Sequence, residues 1–256
     1  MRQQILGLVM ASAAFGCAPP PVIPGSDDSG AQASDDGEGD STEASAMDGA
    51  QLDPASLDRS TAAGPCGYPG PGDAGYGTDV GQRLADSGSF ELIDCEGNSF
   101  SIADFMCERE GGGYNAGVLL NLGAGWCGPC QEETLEFPEI YEEYHSRGIE
   151  IVQVMFQDWD AQAPTRSFCT DWSEGQWRTG ADGSTQDVGV RLHFPVLLDQ
   201  INDWTSIYLQ DPQSATPVNI LLDANGNIRW KLEGQQPELD LLRAQFDLVL
   251  ANPYGT

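Results

Sequence analysis

Two cysteines separated by two residues are the part of this sequence best suited to chemistry. They lie in the segment Trp126-Cys127-Gly128-Pro129-Cys130, between an apolar run at 117–122 and a long amphipathic segment. The pair is therefore predicted to stand at a strand-to-helix turn. In that position a Cys-x-x-Cys pair is typical of redox chemistry rather than of metal binding. We predict a disulfide bond that opens and closes.

Cys127 is the predicted nucleophile of the pair. At a helix N-terminus, unpaired backbone N–H groups and the positive end of the helix dipole favour a thiolate over a thiol. A thiolate attacks a disulfide sulfur and forms a mixed disulfide. Cys130, one turn further along and less exposed, is predicted to resolve that intermediate. The alternative is a static disulfide, although so short a loop restricts the unfolded chain only slightly.

Resolution also needs a group that takes the proton from Cys130. Helical periodicity places Glu133 on a core-facing stripe with Phe137, Ile140 and Tyr144, whereas the glutamates at 132, 136, 139 and 143 form a solvated face. Glu133 is therefore predicted to be the proton acceptor or to tune the thiols. The alternative is an ordinary exposed helix carboxylate.

Thr216-Pro217 is the second segment with chemical meaning. An X-Pro bond can be cis, and a proline can open a strand without the loss of a ladder hydrogen bond. Thr216-Pro217 precedes an apolar strand and a hairpin, which favours it as a cis site. Pro195 is the competing candidate, but no hairpin follows it.

The elements that must position these residues are predicted from hydrophobic periodicity. Asn225-Gly226 between two apolar runs is a strong hairpin signal. The predicted strands are 89–94, 99–101, 117–122, 149–156, 194–198, 217–222 and 228–232; the predicted helical segments are 102–106, 127–147, 160–172, 203–209 and 237–251, with a polar excursion at 172–187. This order predicts an α/β fold in which a mixed central sheet has helices on both faces and an N-terminal hairpin extension.

The first quarter of the chain differs from the rest. Residues 1–16 have a short cationic start and an apolar stretch, which predicts a signal peptide. Cys17 follows a partial lipoprotein cleavage box, so we expect it to be lipidated, with ordinary cleavage nearby as the alternative. Residues 17–64 are small, polar and acidic, which predicts a disordered tether. Residues 65–256 then form the folded domain.

Charge and cysteine number restrict the setting. The chain has 40 carboxylates against 11 basic side chains and a net charge of -29, which disfavours nucleic acid. Once Cys17 and the redox pair are assigned, four of the seven cysteines remain. These four are expected to form two structural disulfides in an oxidising compartment, with three possible connectivities: Cys66, Cys95, Cys107 and Cys169. Cys107 is expected to be one structural partner.

Residues 84–251 resemble the membrane-tethered bacterial thioredoxin-like proteins, which are extracytoplasmic thiol–disulfide oxidoreductases related to alkyl hydroperoxide reductase and thiol-specific antioxidant proteins. The resemblance rests on the Cys127 segment, Glu133 and Thr216-Pro217. It implies a thioredoxin-like fold in which the cis proline lies against the cysteine pair. It also implies that the Thr216 backbone binds an extended substrate. Asn121 stands where thioredoxin itself has a buried aspartate.

The resemblance further implies how the site is used. Trp126 is expected to be a surface lid, and substrate is expected to contact it together with Gly128, Pro129, Thr216 and Pro217. The dipeptide Gly128-Pro129 matches that of reducing thioredoxins, which favours a reductant.

The expected protein is an exported, lipid-anchored monomer in the periplasm or at the outer membrane. Its partners are expected to be protein thiols and disulfides outside the cytoplasm and a membrane electron donor. We expect no cofactor beyond the redox-active disulfide, no metal and no membrane contact except the lipid anchor.

Three alternatives stay open. A redox-inert peptide-binding module could share the fold. A copper metallochaperone would need His193 near the cysteines, but that family spaces its cysteines by three residues. A thiol peroxidase would need a Pro-x-x-x-Thr-x-x-Cys pattern, which is missing around Cys127 and Cys169.

Overall fold

A computed structural model describes residues 73–84, 92–106, 115–178, 183–202, 204–209, 215–234 and 238–255. The predicted signal peptide and tether, with Cys17, and the predicted disulfide partners Cys66 and Cys107 lie outside these ranges. Within the described ranges, no helix combines the length and the apolar character needed to cross a membrane.

In the described part of the chain, seven strands form the central sheet, which is mixed as predicted. In chain order they are β3 (Leu92–Ile93), β4 (Ser99–Phe100), β5 (Gly117–Ala124), β6 (Ile149–Gln157), β9 (Val196–Leu198), β10 (Val218–Asp223) and β11 (Ile228–Glu233). Their order across the sheet is β11-β10-β5-β6-β9-β3-β4. β6 is parallel to β5 and β9, whereas the other pairs are antiparallel. The predicted N-terminal hairpin is thus confirmed as β3 and β4 at one edge.

Both faces of the sheet are covered. On one face, β5, β6 and β10 pack against α1 (Gly128–Tyr144), α2 (Arg166–Ser173) and α4 (Leu239–Ala251). The other face packs against the 3-10 turn Ile102–Met106 and the short α3 (Thr205–Tyr208) with Trp204. Outside the central sheet lie two strand pairs, β1 (Tyr76–Gly77) with β2 (Arg83–Leu84), and β7 (Gln176–Arg178) with β8 (Thr185–Asp187).

The helix after the cysteine pair follows its sequence pattern. Glu133, Phe137, Ile140 and Tyr144 are all buried, and the four glutamates of the predicted solvated face are exposed. A 3-10 turn continues the helix to Arg147, and Gly148 ends it in the left-handed conformation at φ 104°. β6 begins at the next residue, which brings it alongside β5.

Two predictions in the middle of the chain are wrong. The helix predicted at 160–172 begins only at Arg166, because the Thr165 hydroxyl accepts a hydrogen bond from the Phe168 N–H and caps it there. Asp158 accepts hydrogen bonds from the N–H groups of residues 160 and 162, which holds the preceding segment as a turn. The excursion predicted at 172–187 contains the β7–β8 hairpin, and its Trp177 is buried against Trp172.

The Asn-Gly hairpin is confirmed as β10 and β11. Gly226 has φ 74°, and the buried Asp223 accepts hydrogen bonds from the backbone N–H groups of Asn225 and Asn227. Burial raises the pKa of the Asp223 carboxyl, although the hydrogen bonds from Asn227 and Asn225 and the charge of Arg229 oppose that rise. The hairpin places the start of β10 beside β5, where Val218 pairs with Leu122.

Candidate active site

Cys127 and Cys130 form a disulfide bond at the start of α1, with 5.2 Å between their Cα atoms. Cys127 is the N-cap residue, and the Cys130 backbone N–H donates to its sulfur across 3.1 Å. Cys127 is 3% exposed and Cys130 is 0% exposed. The sulfur of Cys127 is thus the more accessible of the two and the one that a helix N–H contacts.

Thr216 and Pro217 lie directly against the pair. Their peptide bond is cis, as predicted, whereas Pro195 is not cis. The Thr216 carbonyl oxygen lies 3.6 Å from the Cys127 sulfur, and its hydroxyl oxygen lies 3.5 Å from the Cys130 sulfur. The same hydroxyl donates to the Leu122 carbonyl across 3.2 Å, which fixes Thr216 to the end of β5. Antiparallel pairing of β10 with β5 therefore brings the two predicted segments together.

The remaining residues of the segment form its outer surface. Trp126 is 48% exposed, and its indole N–H donates to the Gln157 side-chain oxygen across 2.8 Å. Gln157 also accepts the Gly125 N–H at its backbone carbonyl, at 2.9 Å. Gly128 and Pro129 are exposed at the first turn of α1. Gln157 was not predicted from the sequence, although it ends the strand next to the cysteine segment.

Glu133 is 2% exposed, so it is not an ordinary surface carboxylate. Both of its oxygens accept hydrogen bonds from asparagine amides. Asn219 donates to Oε1 at 2.6 Å, and Asn121 donates to Oε2 at 2.8 Å. Glu133 thus lies one helical turn beyond Cys130, with its carboxyl group held from two strands.

Asn219, Asn121 and Gln153 form a row of amides across three strands, here called the amide row. Strand register makes Asn219 the partner of Asn121, and Asn121 the partner of Gln153. Gln153 donates to the Asn121 side-chain oxygen at 2.8 Å and to the Thr134 hydroxyl at 2.7 Å. Asn219, Gln153 and Thr134 were not predicted from the sequence, although an amide in the interior of each of three apolar strands was a visible signal for Asn219 and Gln153.

A second disulfide bond joins Cys95 to Cys169, with 5.2 Å between their Cα atoms. Both were predicted structural cysteines. The bond ties the turn between β3 and β4 to α2, and the Cys95 sulfur lies 3.5 Å from the Ser173 hydroxyl oxygen. A cavity of about 360 Å³ lies beside this bond rather than beside Cys127, and Phe100, Phe194 and Val196 contribute to its walls.

Among the described residues, no group of three His, Cys, Asp or Glu side chains is arranged to hold a metal ion. His193, which a copper site would need, is exposed in the segment before β9.

Comparison with known proteins places these features in context. Residues 80–231 match the AhpC/TSA family. The thiol-disulfide oxidoreductase ResA of Bacillus thuringiensis subsp. konkukian is 24% identical over 153 residues, which cover 60% of this chain and 70% of that protein. The protein of the same name from Geobacillus kaustophilus is 24% identical over 154 residues, which cover 60% and 71%.

The fold also has counterparts among solved structures. A hypothetical protein from Sinorhizobium meliloti 1021 matches with a TM-score of 0.51 and 19% identity, over 71% of this chain and 89% of that one. At this identity the likeness concerns the fold alone.

Proposed function

Since the chain belongs to the AhpC/TSA family and is a thioredoxin-like thiol–disulfide oxidoreductase, we propose that it reduces disulfide bonds of proteins outside the cytoplasm. The observation that carries this proposal is the Cys127–Cys130 disulfide at the N-terminus of α1, with the Cys130 N–H directed at the Cys127 sulfur. The direction of electron flow is assigned from Gly128-Pro129, the dipeptide of reducing thioredoxins.

The first step uses the reduced pair. The Cys127 thiolate attacks one sulfur of a substrate disulfide, so that a new S–S bond forms and the other substrate sulfur leaves as a thiolate. The Cys130 N–H and the helix dipole stabilise negative charge on Cys127 before the attack. The Thr216 backbone binds an extended substrate segment beside the sulfur, and Trp126, Gly128 and Pro129 form the exposed surface around it.

The second step releases the reduced substrate. Glu133 takes the proton of the Cys130 thiol, and the resulting thiolate attacks the Cys127 sulfur. The bond between Cys127 and the substrate breaks, and the substrate leaves with both of its sulfurs reduced. The protein returns to the disulfide-bonded form, and an external dithiol donor at the membrane restores the reduced pair.

The proposed location draws on two observations. The apolar N-terminal stretch and Cys17 favour export and lipid anchoring in the periplasm or at the outer membrane. The Cys95–Cys169 bond favours the same setting, because structural disulfides persist mainly in oxidising compartments.

Reduction of insulin disulfides tests the proposal. Pre-reduced wild-type protein is expected to reduce insulin, and the Cys127→Ser variant is expected to be inactive. Equal activity of the two proteins would refute the assignment and favour a redox-inert peptide-binding module. The Glu132→Gln variant serves as a matched control, because Glu132 lies on the exposed face of α1.

A further inference from the structure

We propose that Trp172 and Gln153 are positioning residues that orient the two amides on Glu133 and thereby set the pH range in which Cys130 resolves a mixed disulfide. The inference rests on the proposed function of Cys127, Cys130 and Glu133. It concerns residues that do not touch the substrate and that act through hydrogen bonds to Asn121 and, by way of Thr134, to the backbone of Cys130.

The orientation of the amide row is set at Trp172, whose indole N–H can donate a hydrogen bond but cannot accept one. The Trp172 indole N–H donates to the Gln153 side-chain oxygen across 2.7 Å. An indole nitrogen has a hydrogen to donate and no lone pair with which to accept. Gln153 must therefore turn its oxygen towards Trp172 and its NH₂ group away. Trp172 is fully buried, so the position of the donor is fixed.

The orientation of Gln153 in turn fixes the orientation of Asn121 and Asn219. Because the Gln153 NH₂ group faces the Asn121 oxygen at 2.8 Å, Asn121 must direct its own NH₂ group the other way. That group donates to Glu133 Oε2 at 2.8 Å and to the Asn219 oxygen at 3.0 Å. Since the Asn219 oxygen is occupied, its NH₂ group faces Glu133 Oε1 at 2.6 Å. The hydrogen bond donated by Trp172 thus orients the three amides so that each Glu133 carboxyl oxygen receives an N–H donor.

This arrangement affects the ionisation of Glu133. Hydrogen bonds donated to both oxygens stabilise the carboxylate relative to the neutral acid. A reversed Asn121 would present its oxygen instead and would favour the protonated form, which cannot accept a proton. Among the described contacts of the Glu133 carboxyl are Asn121 from β5 and Asn219 from β10, neither of which titrates, and the titratable Cys130 lies one helical turn before Glu133 on α1.

A branch of the network reaches Cys130 itself. Gln153 also donates to the Thr134 hydroxyl at 2.7 Å, and that hydroxyl donates to the Cys130 carbonyl at 2.7 Å. Gln153 therefore contacts Asn121, which donates to the Glu133 carboxyl group, and Thr134, which belongs to the helical turn after Cys130.

Stopped-flow oxidation of the full-length reduced protein by a chromogenic aryl disulfide tests the inference. The reagent releases one coloured thiolate when Cys127 attacks and a second when Cys130 resolves. Subtraction of the signal of the Cys127→Ser, Cys130→Ser double variant removes the contribution of the other five cysteines, so the two steps are measured separately across the neutral pH range. In Trp172→Phe the midpoint of the second phase is expected to move up by about one pH unit, which makes resolution about tenfold slower on the acidic side. The first phase is expected to keep its rate.

Trp177→Phe is the matched control. It removes an indole from the same aromatic cluster, but its N–H donates to the Trp172 backbone carbonyl at 2.9 Å and not to the amide row. Its pH midpoint is expected to match the wild type. Gln153→Met fills a similar volume without any of the three side-chain hydrogen bonds of Gln153, and its pH midpoint is expected to shift like that of Trp172→Phe. If Trp172→Phe does not fold, Gln153→Met tests the same inference.

Three results would overturn the inference. They are an unchanged midpoint in the Trp172→Phe and Gln153→Met variants, an equal shift in Trp177→Phe, and a shift to lower pH. In each of these the wild type still shows both phases, so the proposed function stands. A wild type without a second phase overturns the proposed function and the inference together.

Discussion

The backbone N–H of Cys130 donates to the sulfur of Cys127 across 3.1 Å. The donor comes from the first turn of α1, so the sulfur at the N-cap position receives both a hydrogen bond and the positive end of the helix dipole. After reduction, we expect the same geometry to stabilise a thiolate on Cys127 and not on Cys130. The proposed difference in role between the two cysteines therefore rests on their order at the helix start.

Removal of the Glu133 carboxylate should slow resolution and leave attack intact. In Glu133→Gln, the new side chain cannot take the Cys130 proton, and its NH₂ group meets the NH₂ group of Asn121 or Asn219. We expect the second phase of aryl disulfide reduction to slow by about a hundredfold. Glu136→Gln, on the exposed face of the same helix, is expected to match the wild type. Equal rates of the second phase in the two variants would show that Glu133 does not take the Cys130 proton.

The Cys95–Cys169 bond should stabilise the domain far more than the redox pair does. It closes a loop with a sequence separation of 74, whereas the redox pair has a separation of 3. Replacement of both Cys95 and Cys169 by Ala is expected to cost about 4 kcal/mol and to lower Tm by about 10 °C. The matched replacement of Cys127 and Cys130 is expected to cost about 2 kcal/mol. Calorimetry of the oxidised wild type and of the two double variants measures these changes. Similar losses of stability in the two variants would contradict the loop-length explanation.

Gly125 and Gly128 flank Cys127 but should differ in their tolerance of a side chain. A Cβ atom at Gly125 would lie 2.7 Å from the Phe168 ring and 2.9 Å from the backbone of residues 158 and 159, whereas one at Gly128 meets nothing within 4 Å. Gly125→Ala is expected to lower the free energy of unfolding by about 1–3 kcal/mol. Gly128→Ala is expected to stay within about 0.5 kcal/mol of the wild type. Urea unfolding measures both, and a stable Gly125→Ala variant would show that the packing around Cys127 is looser than described.

Asp223 should make the folding stability of the domain depend on pH. Burial raises the pKa of its carboxyl above the ordinary 3.8, so the folded protein holds this proton more tightly than the unfolded chain does. The associated stability is fully present below pH 3.8 and is lost as pH rises through the folded pKa.

The comparison variant is Asp223→Asn, which does not titrate. The stability of the wild type relative to Asp223→Asn is expected to fall as the pH rises above 3.8 and through the raised pKa of the folded state. Urea midpoints at several pH values measure the difference. A difference that stays constant or grows with pH would contradict the raised pKa.

Much of the fold could be predicted from local patterns. Asn225-Gly226 marked the β10–β11 hairpin, and the alternation of Glu133, Phe137 and Ile140 with exposed glutamates marked the buried face of α1. The start of α2 could not be predicted in the same way, because it depends on which of several polar residues caps the helix. Thr165 does so, and the side chain of Asp158 holds the preceding turn.

The site was predictable only where its residues are adjacent in sequence or form a known pattern. Cys127, Cys130 and Glu133 share one helix, and Thr216-Pro217 was marked by the hairpin that follows it. Asn219 and Gln153 come from separate strands, and their contact depends on register across β10, β5 and β6. Trp172 joins them only because α2 packs against the sheet at β9, the neighbour of β6, which no local pattern reveals.

The most direct test of the mechanism is whether a substrate protein becomes attached to Cys127. The reduced Cys130→Ser variant is mixed with a disulfide-bonded protein such as insulin, and the products are analysed by intact mass and peptide mapping. A mixed disulfide at Cys127 is expected to accumulate, because no thiol at position 130 remains to resolve it, and Cys127→Ser should form no such adduct. Attachment at another cysteine, or equal adduct formation in both variants, would contradict the assignment of Cys127 as the nucleophile.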